Sequence, residues 1–270
     1  MLLNSQKCPN CSAYYDPTLK ECPHCHKNNE LYDRKVIPER VMFFHPVAQI
    51  GIFLAGFSFV GMVICEFIST FFVIFMEKGI LQTTILLLLT YLMMIGAIFI
   101  ISFTTRWKLF TKKFTDYRDY LMGLAYAGII ILASLLLSIV INLFYQGGEN
   151  ANQEAAVNIS TNYPIFSFFI LCLLGPICEE MTYRVGLYSF FRRINKYLAF
   201  AVTIIVFTFI HFDFTAADLT SELWSLPSYI VCGLILTIAY EHRGPACSMM
   251  AHIAYNLFAF IMIFVGAING

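Results

Sequence analysis

Residues 163–184 read YPIFSFFILCLLGPICEEMTYR, an apolar run that ends in two adjacent glutamates and an arginine. A carboxylate near the centre of a bilayer costs about 2.5 to 3.5 kcal/mol on insertion scales, so ionisable groups in such a run need either a partner or a purpose. The composition of the whole chain puts this run in lipid. Of 270 residues, 59% are hydrophobic and 13% charged, whereas soluble domains carry about 25% charged residues. Apolar segments occur at 46–76, 80–104, 119–145, 162–191, 197–217, 225–241 and 244–268. A helix crosses the hydrocarbon core with about 20 apolar residues. The expected fold class is therefore all-α, a polytopic transmembrane helix bundle of seven to eight spans. The eighth would arise if run 46–76 or run 162–191 is two helices, with Gly175-Pro176 as the break in the second.

Charge distribution sets the expected orientation. The net charge is zero, so bulk charge argues for neither a nucleic acid nor an acidic partner. With the N-terminus cytoplasmic, the inside segments hold Lys7, Lys20, Lys27, Arg34, Lys35, Arg40, Arg106, Lys108, Lys112, Lys113, Arg118, Arg184, Arg192, Arg193, Lys196 and Arg243. Only Lys78 falls outside, which leaves 16 of 17 basic residues on one side and meets the positive-inside rule. The segments QGGENANQEAAVNISTN (146–162) and FDFTAADLTSELW (212–224) then read as outside loops, with Asn158-Ile159-Ser160 a weak glycosylation signal in the first. The first forty residues are polar and show no signal-peptide pattern, so the first span is expected to act as an uncleaved anchor in a bacterial cytoplasmic membrane.

Residues 1–30 read as a separate module. Cys8, Cys11, Cys22 and Cys25 follow the spacing C-x2-C-x10-C-x2-C, which puts two thiolate pairs on two tight knuckles able to close a tetrahedral shell around a structural zinc. Between them, SAYYDPTLKE offers Asp16-Pro17 as the turn of a short hairpin, so the module resembles a zinc ribbon. A unit of about thirty residues lacks a sufficient core, and metal binding would supply most of its folding energy. A reducing compartment favours zinc over disulfides. His24 and His26 read as solvated neighbours of the four cysteines. Residues 31–45, with LYDRKVIPER, read as a linker to a transmembrane domain at 46–268. Cys65, Cys172, Cys178, Cys232 and Cys247 show no pairing pattern and read as small packed apolar residues. The module has few basic residues, so nucleic acid is not an expected partner; the module could dock a substrate or protein partner or shield the first helix, and nothing in KCPNC or ECPHC chooses between these.

The remaining polar groups fall at one depth. Measured from the basic flanks at 1.5 Å per residue, Glu179 and Glu180 lie roughly 18 to 20 Å deep, His211 about 22 Å, His252 about 13 Å and Asn256 about 19 Å. Glu66 comes out near the outer interface and needs no special reading. Glu180 and Arg184 are four apart on one helical face and can pair, whereas Glu179 points about 100° away and is free. His252 and Asn256 also share a face. A free carboxylate beside a histidine can take a proton from water, and a second histidine with an asparagine amide can donate to a developing oxyanion. That is amide hydrolysis. In another reading Glu179, His211 and His252 are ligands of a catalytic metal, since carboxylate and imidazole suit zinc, and this stays open. A third makes the set a buried polar network that only fixes helix packing.

EEMTYR (179–184), FTFIH (207–211) and HIAYN (252–256), in that order on successive membrane helices, resemble the three motifs of the CAAX protease and bacteriocin-processing (CPBP, or Abi) family. Its pattern is two glutamates and an arginine, then phenylalanine and histidine separated by three residues, then histidine and asparagine with the same separation. Glu179, Glu180, Arg184, Phe207, His211, His252 and Asn256 fill it. The resemblance covers about residues 120–268 and not the ribbon. It implies an intramembrane endopeptidase like the type II CAAX prenyl proteases, with a cavity reached from the cytoplasmic side. Within it Glu179 would be the base, His211 its partner, and His252 with Asn256 the oxyanion hole, with a metal-free mechanism favoured. The alternative is a non-catalytic membrane immunity or regulatory protein that binds a toxin or signalling partner.

Overall fold

The computed structural model describes residues 6–15, 19–29, 44–103 and 110–269. Near the N-terminus Gln6–Lys7 (β1) pairs antiparallel with Tyr14–Tyr15 (β2), Lys7 opposite Tyr14. The Ser12 N–H donates to the Cys8 carbonyl at 3.0 Å and the Cys8 N–H to the Ala13 carbonyl at 2.9 Å. The second pair repeats this, with His26 donating to Cys22 at 2.8 Å and Cys22 to Lys27 at 2.9 Å. Ser12 and His26 each follow the second cysteine of a pair and have φ of 62° and 56°. Residues with side chains adopt this left-handed conformation rarely; here it turns the chain back so that each pair faces inward. The expected Asp16-Pro17 turn and residues 31–43 of the expected linker lie outside the described residues.

The remaining elements are helical. Pro46–Gly56 (α1) and Val63–Val73 (α2) are joined by a π-helical turn at Ser58–Met62, and the bend between them is 58°. Then come Ile80–Phe103 (α3), Tyr117–Phe144 (α4), Ala151–Asn162 (α5), Pro164–Arg192 (α6), Lys196–Phe209 (α7), Leu219–Arg243 (α8) and Pro245–Asn269 (α9). Asp116, Asn150, Asn195 and Asp218 each accept a backbone N–H of the first turn of α4, α5, α7 and α8, satisfying donors that a helix start leaves unpaired. Gly244, at φ 90°, makes the corner between α8 and α9, and Pro245 opens the next helix where no N–H is needed.

Five of these helices, α3, α4, α6, α8 and α9, are long and apolar enough to cross a bilayer, or six spans if α1 and α2 are one broken span. The expected count of seven to eight is not confirmed. The segment 197–217 falls short: α7 has 14 residues, about 21 Å at 1.5 Å per residue against a core of about 30 Å. It stops before Asp213, whose carboxylate accepts the Thr215 N–H at 2.8 Å and hydroxyl at 2.7 Å, a local turn that competes with helix. The eighth span expected from a break at Gly175-Pro176 is also absent, because α6 runs through that dipeptide by widening into π-helical turns at Phe168–Leu174 and again at Glu180–Tyr188. Segments 146–162 and 212–224, read as loops, are partly helical as α5 and the start of α8. The glycosylation-like triplet lies within α5, with Ser160 fully buried.

Phe67, Phe71, Phe72, Leu132, Ile139 and Leu143 are exposed on helix surfaces, an outward apolar face that suits lipid. The chain is an integral membrane protein. Inside, Ile52, Val185, Tyr188 and Tyr240 belong to one buried cluster that joins α1, α6 and α8. A Cβ on Gly186 would lie 2.9 Å from the Phe53 backbone nitrogen, and one on Gly123 would lie 2.7 Å from the Cys247 carbonyl. Glycine at these crossings lets backbones meet, as small residues do between membrane helices.

Candidate active site

Helix α6 delivers both glutamates, on different sides of its axis. Glu180 and Arg184 have fully buried side chains, with Oε1 2.9 Å from Nη1. Arg184 also donates from Nη2 to the Gly233 carbonyl at 3.3 Å and stacks its guanidinium 4.5 Å from the Phe207 ring centre. The same Glu180 oxygen lies 2.9 Å from His252 Nδ1. A carboxylate accepts, so Nδ1 carries the proton and Nε2 is turned the other way. Glu180 Oε1 thus links Arg184 and His252 in one desolvated polar cluster.

Glu179 faces a cavity of about 710 Å³ that Phe207, His211, Tyr229, His252 and Asn256 also line. Its Oε2 is 3.8 Å from His252 Nε2 and 4.0 Å from His211 Nε2. Both separations exceed a direct hydrogen bond, yet one water bonded to both sides spans either. His211 Nδ1 donates to the Phe207 carbonyl at 2.7 Å, which leaves Nε2 of the neutral ring as an acceptor aimed at Glu179. Asn256 donates from Nδ2 to the Leu171 carbonyl at 2.8 Å. Leu171 lies in the wide turns five residues before Pro176, which has no N–H to offer it. The asparagine fills that vacancy with one of its two N–H groups. The structure therefore brings Glu179, His211, His252 and Asn256 to one cavity wall, with Glu180 and Arg184 fully buried and joined to that wall through His252.

Several positioning residues escape a reading of sequence. Tyr229 stacks on His211, ring centres 4.5 Å apart and 21° from parallel, while Phe207 lies 4.8 Å away. The Tyr229 hydroxyl accepts from Asn150 Nδ2 and Asn152 Nδ2, both at 3.0 Å. Glu222, fully buried, accepts the Ala151 N–H at 2.8 Å and the Asp213 N–H at 3.1 Å, tying α5 and the chain after His211 to α8. As an acid in a first helical turn, Glu222 reads in the sequence as ordinary dipole compensation. Its role depends on backbone groups from 9 and 71 residues away, which no local pattern signals.

The ribbon cysteines form the one group of three or more metal-binding side chains found among the described residues, with all four Sγ atoms within 4.8 Å of one another. Cys8 to Cys25 and Cys11 to Cys22 are both 3.6 Å. Tetrahedral zinc at about 2.3 Å from sulfur implies about 3.8 Å between ligands, so the quartet fits. Asn10, followed by the Lys27 N–H, hydrogen-bonds the Cys25 thiolate and holds that thiol down to about 6, the charged form a metal takes.

Residues 161–258 match the family model described as Type II CAAX prenyl endopeptidase Rce1-like. This segment is similar to that family. The chain is also 27% identical over 138 residues to the UPF0177 protein YvdC of Lactococcus lactis, covering 51% of the chain and 50% of that protein. It is 28% identical over 153 residues to the membrane-embedded CAAX protease MroQ of Staphylococcus aureus, covering 53% and 56%. To the UPF0177 protein YbdI of Lactococcus lactis it is 30% identical over 97 residues, covering 36% and 48%. The chain thus spans about half the length of these curated relatives. No solved structure matches it. The matched segment holds all of α6, α7 and α8 and the part of α9 up to Phe258, and with them Glu179, His211, His252 and Asn256.

Proposed function

We propose that the chain is an intramembrane endopeptidase that hydrolyses a peptide bond of a membrane-associated protein or peptide. The observation that carries this reading is the approach of Glu179 to the Nε2 atoms of two histidines, 3.8 and 4.0 Å away, on the wall of a cavity large enough for a peptide segment. The Rce1-like segment and the similarity to a protein named a CAAX protease support it. Water between Glu179 and His211 gives a proton to the carboxylate as its oxygen bonds to the peptide carbonyl carbon. The carbonyl electron pair moves onto oxygen, and the oxyanion accepts from Nε2–H of a protonated His252 and from the second N–H of Asn256. Glu180 offsets the charge on His252. Collapse restores the carbonyl, breaks the C–N bond and delivers the proton from Glu179 to the leaving nitrogen.

The test compares membrane peptides from cells carrying the unsubstituted and Glu179→Gln chains. New peptide termini should appear with the former and fall by about 100-fold or more with the latter. Equal cleavage by the variant overturns the reading, and a retained biological effect without cleavage favours a non-catalytic partner.

A further inference from the structure

We infer that the cavity opens on the extracytoplasmic side, so that the peptide bond reaching Glu179 belongs to a segment presented from outside the membrane. Successive helices run in opposite directions and bring their ends to two faces. One face gathers Arg118 at the start of α4, Arg192 at the end of α6, Lys196 at the start of α7 and Arg243 at the end of α8. Ion pairs lock it: Arg192 Nη2 with Glu241 at 2.9 Å, Lys196 Nζ with Glu241 at 3.7 Å and Arg243 Nε with Asp119 at 3.6 Å. The other face gathers the end of α4, the start of α5 and the start of α8. There Tyr145 donates to Asp218 at 3.0 Å and Glu222 holds Ala151 and Asp213.

The cavity belongs to the second face. Its rim includes Tyr145, Gly148, Glu149, Asn152 and Trp224, and from there it runs inward to Glu179 and His252. Among the described residues its lining contains Glu149 and Glu179 and no lysine or arginine. Basic residues collect on the cytoplasmic side of membrane proteins, which places the rim outside. This is the reverse of the cytoplasmic access that the family resemblance implies. A lining that carries the carboxylates of Glu149 and Glu179 suits an uncharged or basic peptide segment. Cleavage of that peptide bond rests on the proposed hydrolysis; the side of the opening does not.

The test is labelling of intact bacterial cells with a membrane-impermeant maleimide coupled to polyethylene glycol. Gly148→Cys supplies the thiol at the rim, where a Cβ would meet nothing within 4 Å. Glu149→Cys is the second rim variant, in case the first fails to accumulate. Tyr117→Cys marks the basic face, where Tyr117 is 66% exposed. The native membrane-domain cysteines are buried, and the unsubstituted chain supplies the baseline. The expected result is a mass shift of one reagent per chain for the rim variants in intact cells, and for Tyr117→Cys only after permeabilisation. The opposite pattern, or labelling of both faces in intact cells, overturns the inference whether or not the chain proves to be a hydrolase.

Discussion

At the scale of single residues, the cavity wall depends on how His211 is held. Phe207 and Tyr229 confine its ring, and the Phe207 carbonyl fixes its tautomer. Tyr229→Ala removes the stack and should lower kcat by about 10- to 100-fold with a smaller change in KM. Tyr229→Phe keeps the ring, loses only the bonds to Asn150 and Asn152, and should recover most of the rate; steady-state kinetics on a cleaved peptide compares them. A purely structural role would move both variants' thermal stability and leave this split absent. The pairing of Glu180 with Arg184 is legible in the sequence because helical neighbours four apart must meet. That His252 joins the same pair is not, since its Nδ1 reaches across 72 residues of chain. Tyr229 is equally silent: an aromatic residue on a membrane helix reads as packing until its neighbour is known.

At the scale of elements, helices are legible from apolar runs and boundaries are not. A period-based reading takes Gly175-Pro176 as a break, because proline removes an N–H and crowds the preceding turn. The chain relieves both by widening, and Asn256 of α9 supplies the missing donor. The polar segment 146–162 contains a helix for a local reason: Asn150 caps it, and alanine, glutamine and glutamate then favour the helical state. Crossings are equally specific. Gly186 on α6 lies against the backbone of α1 at Phe53 and Gln49, so Gly186→Leu should destabilise the protein by about 1 to 3 kcal/mol. Thermal unfolding in detergent measures this, and a stability equal to that of the unsubstituted chain would mean that α1 does not sit where described.

At the scale of the whole molecule, class and membrane residence follow from composition, whereas the number of spans requires knowing where each helix stops. Segment 197–217 shows the difference: its apolar content is continuous, yet its helix is too short to span. The cysteine module is legible for the opposite reason, because four thiols at that spacing have few ways to satisfy one another. One zinc per chain is the expected stoichiometry by elemental analysis of the purified full chain, falling to none in Cys22→Ser/Cys25→Ser. The variant's membrane helices should retain their unfolding temperature, since the ribbon brings its own metal-based stability.

The wide turns of α6 also set angular phase. Each residue advances a helix by about 100°, so deleting one residue from 168–174 would rotate everything after it by that amount. Glu180 would swing toward the place Glu179 holds, and Arg184 would leave its socket beside Phe207. Two consecutive carboxylates, identical in chemistry, keep opposite duties only because the coil before them is loosened by the correct amount.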